Sequence, residues 1–326
     1  MRRSLALAAA AAWLLRAAPA RGEPYDMRLT RMGIPSADVV CALPTATTGL
    51  DCTNAADLAT AQQRAADARQ RFAMLATQLG LALDSFILAP ANTVGHSGFE
   101  IAFEAAYAPA TFDKALFTGY SPFKTTTLPG SFLLPAFHVR KALPYSFEVG
   151  GRGIYLNQSS DFAAQFELKW ALNEGLDYLP DLAVRAVVTR FFGVKDLDLG
   201  VYGVDAMLGK RFGIGGVLSL TPYGAARLSW LWAHSEQIQF GNATDPTTAS
   251  ATAASFPELG AAAHRFTRFA LGLRMIAAAA TVSIEATYTL GRTFQGPTPD
   301  QLGATGYPTF TVPATLSGAA TFGFNF

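Results

Sequence analysis

From about position 95 onward, apolar and polar residues alternate with a period of two in ten separate stretches. A period of two turns one face of a strand toward apolar surroundings and the other toward something wetter. The stretches fall at 96–108, 131–140, 145–156, 162–172, 181–192, 197–209, 214–233, 264–277, 280–291 and 314–326. In the fourth, Phe162, Ala164, Phe166, Leu168, Trp170 and Leu172 oppose Ala163, Gln165, Glu167, Lys169 and Ala171. In the ninth, Val282, Ile284, Ala286, Tyr288 and Leu290 oppose Thr281, Ser283, Glu285, Thr287 and Thr289. The sixth breaks phase: Leu197, Leu199 and Val201 are followed by Val204, Ala206 and Leu208. A bulge near Tyr202–Gly203 would restore the pattern. Turn-forming residues separate the stretches, and the expected fold is all-β: an antiparallel up-and-down barrel of about ten strands, with eight or twelve as alternatives.

The final stretch, Ala314 to Phe326, turns Leu316, Ala320, Phe322, Phe324 and Phe326 to one side and ends on an aromatic residue. This pattern resembles the C-terminal strand of bacterial outer-membrane β-barrel proteins, and the likeness extends over roughly Gly95 to Phe326. It implies a transmembrane barrel in the cell outer membrane, in contact with outer-membrane lipid. It also implies that Phe322, Phe324 and Phe326 serve as an assembly signal read by the barrel-assembly machinery. Such barrels keep short turns on the periplasmic side and long loops outside. With the first strand rising from the periplasm, the joins after strands two, four, six and eight are short. Those after strands one, seven and nine are long, at about 109–130, 234–263 and 292–313.

The N-terminal residues differ in character. Arg2 and Arg3, the apolar run Leu5 to Leu15 and Ala18-Pro19-Ala20 read as a signal peptide over 1–20. Its loss removes three arginines and takes the net charge from +1 to −2, a balance that points away from nucleic acid. Cys41 and Cys52 are the two cysteines, and in an oxidising periplasm the pair reads as a disulfide. Within a segment 21–94, positions 54–79 read as a helix about 39 Å long, with Thr53 or Asn54 as N-cap and Gly80 as its stop. Arg64, Asp67, Arg69 and Arg71 give it a polar face, which favours a place in the periplasm outside the barrel. The alternatives are a plug inside the barrel or a helix lying on the membrane surface. The barrel itself is expected over 95–326. A helix that threads a barrel would suit an autotransporter, but only 21–52 precede it, too little for a passenger.

Composition then bounds the chemistry. Hydrophobic residues make up 50% of the chain and charged ones only 15%, against roughly 25% charged in soluble proteins. With the apolar faces outward, the charges line the lumen: Glu100, Glu104, Glu148, Glu167, Asp205 and Glu285 against Arg140, Arg152, Lys169, Arg185, Arg227, Arg268 and Arg274, with His138 beside them. One reading is a porin-like channel or transporter for small solutes or hydrophobic ligands. The other is a closed, salt-bridged lumen that stabilises a structural or surface-recognition barrel acting through its outer loops. No cofactor or metal is expected, since no ligand spacing occurs. An outer-membrane hydrolase finds little support in the four histidines His96, His138, His234 and His264.

Overall fold

The computed structural model describes residues 23–326 except 85, 96, 97, 177, 242–245 and 295–307. The expected signal peptide over 1–20 and His96 lie outside the described residues. Ten long strands follow one another: β1 (Phe99–Pro109), β2 (Ser131–Leu143), β3 (Phe147–Tyr155), β4 (Phe162–Asn173), β5 (Asp181–Phe192), β6 (Leu197–Gly209), β7 (Leu218–Ser235), β8 (Arg265–Ala277), β9 (Ala280–Thr289) and β10 (Thr315–Asn325). Each pairs antiparallel with the next, and β10 pairs with β1, so the sheet closes on itself and keeps no free edge. Ile214, expected as the start of the seventh strand, instead belongs to a tip, Phe212–Ile214, that pairs back on Leu218–Leu220 as a hairpin extension.

The stagger of the barrel can be followed through its pairs. From Ile101, one route runs through Val139, Gly151, Phe166, Val188 and Tyr202 to Trp230. The other runs through Phe324, Ala280 and Ala277 to Leu218. Both end on β7, twelve positions apart. With strands about 4.8 Å apart, that stagger tilts them by about 40° and sets a barrel radius of about 10 Å. After side chains on both walls are allowed for, such a lumen has room for one α-helix, about 10 Å across.

The short turns 144–146, 174–180, 210–217 and 278–279 all lie at one end of the barrel, where Phe99 and Phe326 also pair through their main chains. We call this the terminal end. The described parts of the long connections 110–130, 236–264 and 290–314, with the shorter 156–161 and 193–196, lie at the other, the loop end.

Two expectations are corrected. The sixth strand has no bulge at Tyr202–Gly203: Gly203 stands opposite Val187 and Ser229 in unbroken register. The irregularity in pairing lies between Ala171 and Asn173 of β4. The phase shift in β6 arises because Leu197, Leu199 and Val201 face inward and are buried. Apolar residues are admitted on that inward face because something apolar stands in the lumen.

The second correction identifies it. The helix α3 (Ala55–Leu83) lies neither in the periplasm outside the barrel nor on a membrane surface; it runs into the barrel from the loop end. Asn54 caps it by accepting from the Asp57 amide at 2.8 Å. Gly80 does not stop it. The helix continues to Leu83, and a Cβ built on Gly80 would collide with Leu231 of β7. Along Ala55–Gln70 the helix buries a single stripe, Ala61, Ala65 and Ala68. From Arg71 to Leu83 every residue is buried, as a helix surrounded on all sides must be. Residues 86–95 then descend the lumen without helix or strand toward the terminal end, where β1 begins. The segment and barrel share one core.

Candidate functional site

The lumen and the chain that fills it form the site. In the half nearer the loop end, the inward wall is apolar: Phe132, Leu134, Phe191, Leu199, Leu231 and Phe266 are buried against Phe72, Leu75, Leu79 and Leu83 of α3. Phe72 stacks on Phe256 of the β7–β8 connection at 4.8 Å between ring centres. Gly80 lets the helix axis approach β7 closely. Where the helix meets the rim, the buried Arg71 donates to the carbonyls of Met32 (2.8 Å) and Leu116 (2.9 Å) and stacks over Tyr120 at 3.8 Å. One guanidinium thus ties the helix to the N-terminal segment and to the β1–β2 connection.

The half nearer the terminal end is charged, and its side chains pair. His138 stands between Glu104 (2.8 Å) and Glu167 (3.1 Å). Arg152 pairs with Glu104 at 2.7 Å and Lys169 with Glu148 at 2.8 Å. Arg185 reaches Glu167 and Asp205, each at 2.7 Å. Glu100 sits between Arg140 and Arg274. All fourteen charged or imidazole residues named from the sequence are buried, and the network brings thirteen of them into ion pairs. The fourteenth, Glu285, accepts instead from the Ile87 and Leu88 amides at 3.0 and 2.7 Å and from the Tyr223 hydroxyl at 3.0 Å.

Asp84 was not singled out from the sequence, and it completes this set. It ends α3 and lies between Arg227 (3.0 Å) and Arg268 (2.9 Å), with the Ser229 hydroxyl donating to it at 2.6 Å. The charges named from the sequence are six carboxylates and seven cations with His138, and Asp84 adds a carboxylate from the helix side. A signal for it exists: Asp84 is the one Asp, Glu, Lys or Arg between Arg71 and Glu100. An isolated charge in an apolar stretch has to find a partner when buried.

Below Asp84, the wall holds the main chain of the descending strap. Arg152 donates to the Phe86 carbonyl at 3.1 Å, and Lys169 to the Asn92 carbonyl at 3.0 Å. The Thr93 amide donates to Glu174 at 2.8 Å and the Val94 amide to Glu148 at 2.9 Å. A chain without helix or strand must find partners for its buried amides and carbonyls somewhere, and charged side chains provide them here. Between strap and wall remains a cavity of about 20 Å³ beside Glu104 and Arg152, room for about one water.

The segment 23–54 forms a cap on the loop end. It contains α1 (Ala37–Ala42) and α2 (Thr45–Thr48), and the Cys41–Cys52 disulfide clips α1 to the start of α3. Main-chain bonds join Arg28 to Pro122 and Tyr25 to Gln158, so the cap is stitched to two connections. Asp26 accepts from the amide and hydroxyl of Ser160 at 2.8 and 2.9 Å. Next to it, Asp161 is buried and its Oδ2 has no hydrogen-bond partner among the described residues. Burial pushes the Asp161 carboxyl up to about 6; a Ser159 hydrogen bond opposes the rise and the Asp26 charge adds to it.

Other candidate chemistry is sparse. His234 lies 3.9 Å from Asp198 on the outer wall and stacks on Trp232. His264 is buried against Phe294, and burial lowers its pKa. No group of three or more His, Cys, Asp or Glu among the described residues could hold a metal ion. Phe322 and Phe324 face outward on β10, and Phe326 pairs with Phe99.

No protein-family model matches the chain, and no curated protein matches it in sequence. Solved structures of similar architecture include Neisserial surface protein A, at 12% identity, covering 71% of this chain and 98% of that one with a TM-score of 0.27. The translocator domain of the autotransporter NalP from Neisseria meningitidis, at 12% identity, covers 82% of this chain and 97% of its own with a TM-score of 0.30. The outer membrane protease OmpT from Escherichia coli, at 8% identity, covers 70% and 92% with a TM-score of 0.25. All are bacterial outer-membrane β-barrels. At such scores none carries an argument about this chain beyond the closed barrel that its own strand pairing defines.

Proposed function

We propose that this protein is a non-enzymatic outer-membrane barrel, sealed by its own N-terminal segment, whose working surface is the loop end. Membrane placement is supported by the outer wall. Phe103, Phe137, Phe166, Leu182, Leu228, Leu271 and Ile284 all stand exposed on it, while the charges are inside. In the outer membrane the terminal end faces the periplasm, the loop end faces outward, and the surrounding partner is lipid. Phe322, Phe324 and Phe326 then serve the barrel-assembly machinery.

The observation that carries the sealed reading is the occupied lumen. Helix α3 fills the upper half, and the strap uses the wall's charges in the lower half. A small-solute channel would require helix and strap to leave together, exposing Asp84's two arginine partners and the apolar upper wall at once. With no conduit, the cap 23–54 and the long connections at the loop end are the surface offered to the outside, and surface recognition is the role they fit.

Planar-bilayer recording of the purified full chain tests this. The sealed barrel gives no unitary current steps; a steady ohmic conductance would sink the reading. Labelling intact cells with a membrane-impermeant reagent should also modify the cap but not the 174–180 turn.

A further inference from the structure

The strap's contacts with the lower wall share one feature. Phe86, Pro90 and Asn92 offer carbonyls, and Ile87, Leu88, Thr93 and Val94 offer amides. Below Asp84, Thr93 is the one residue whose side chain joins these contacts among the described ones, through its hydroxyl on Glu174. The strap side chains themselves are small or apolar over 86–94, F-I-L-A-P-A-N-T-V. The wall's polar groups therefore recognise what every polypeptide has, and its apolar ones ask only for small or apolar side chains.

We propose that the lower lumen is a binding track for a polypeptide main chain, occupied in the resting protein by residues 86–94. Its acceptors are Glu285, Glu174 and Glu148, and its donors are Arg152 and Lys169. Recognition through amides and carbonyls gives affinity without sequence selection, as in other main-chain-directed peptide sites. The ligand class is an uncharged, non-helical peptide. Cationic or acidic side chains would disturb a wall whose buried charges are already engaged with one another, with Asp84 and with the strap's main chain. Side chains touch the wall through apolar packing: Ile87 and Ala91 with Ala171, Ala183, Met207 and Tyr223, Leu88 in the main core, and Phe86 beneath Arg268 at 5.6 Å.

Two full-length variants test the track. In the first, residues 89 and 92–94 are permuted with Leu88, Pro90 and Ala91 kept in place, so that the packed positions and the main-chain donors and acceptors are retained. In the second, Ile87→Pro and Val94→Pro remove one of the two amides that donate to Glu285 and the one that donates to Glu148. The permuted chain should stay silent in planar bilayers, and the proline chain should pass current. A synthetic uncharged peptide of strap length and unrelated sequence should then block that current. Its backbone N-methylated counterpart, short of charge-assisted bonds worth about 1.5–3 kcal/mol each, should block roughly tenfold more weakly or worse.

A conducting permuted chain would overturn the proposal. So would block by the native sequence alone, equal block by the N-methylated peptide, or no block. If the proline chain does not assemble, or assembles and stays silent because α3 still fills the upper lumen, the permuted chain decides by its thermal midpoint on heat-modified gels. An unchanged midpoint supports the track, and a fall as large as that of Glu285→Leu overturns it. Were the unaltered chain itself to conduct, the sealed-barrel reading would fall, and the same peptides applied to that current would still decide the track.

Discussion

The two halves of the lumen hold the same chain by opposite means. Near the loop end the contact is apolar and close-packed: Phe72, Leu79 and Gly80 against Phe256, Leu199 and Leu231. Near the terminal end it is polar: carboxylates and cations close on Asp84 and then on bare amides and carbonyls. A helix satisfies its own backbone and can be gripped by shape alone. An irregular strap cannot, and needs partners supplied from outside it. The change of wall chemistry therefore falls where α3 ends, at Leu83–Asp84. Packing makes the upper half tight, whereas hydrogen-bond satisfaction gives the lower half its register.

Damage to the lower half should cost most. Asp84→Asn strips Arg227 and Arg268 of the carboxylate between them, and breaking one side of a buried pair costs about 3–5 kcal/mol. Equilibrium urea unfolding in detergent would show it. Adding Arg268→Met to Asp84→Leu should restore part of the loss, because an apolar replacement of both partners leaves fewer stranded charges.

The upper half should respond to volume instead. On an exposed helix, Gly→Ala stabilises by about 0.5–1 kcal/mol. Here the new Cβ meets Leu231, so Gly80→Ala should destabilise, by about 1–3 kcal/mol. A double-mutant cycle with Leu231→Ala should show strong coupling; additive effects would place the helix elsewhere.

The smallest effect concerns the seam that fixes the cap above both halves. Asp161 in the fold has a pKa raised to about 6, above its ordinary value near 3.9. Protonation therefore favours the folded seam. That contribution is full below about pH 4 and is lost as pH rises through about 6. The thermal midpoint of cap unfolding should fall across that window, and Asp161→Asn should flatten the profile.

The barrel was legible because each strand has two faces in different media, and a period of two survives any detail of loop or turn. The lumen charges were legible for the same reason: Glu167, Lys169 and Arg185 fall on the face opposite Phe166, Leu168 and Val184. The place of the plug was not legible because Arg64, Asp67, Arg69 and Arg71 give a polar face to only part of the helix. The first three lie on the part above the rim; Arg71 turns inward and spends its donors on carbonyls. The decisive stretch is Phe72–Leu83, uncharged on every side, and its counterpart is the inward apolar phase of Leu197, Leu199 and Val201. Two anomalies on distant segments were one contact. The strap was not legible, because its bonds use backbone atoms that carry no mark in the side-chain pattern.

The central claim is that α3 stands inside the barrel against β7. Cysteines at Gly80 and Leu231, introduced together into the full chain, test it most directly, since side-chain atoms there meet within the reach of a disulfide. Mild oxidation of the folded protein should join them nearly completely and leave neither thiol open to a water-soluble maleimide. No cross-link, with both thiols rapidly labelled, would show that the helix lies outside and that the lumen is empty.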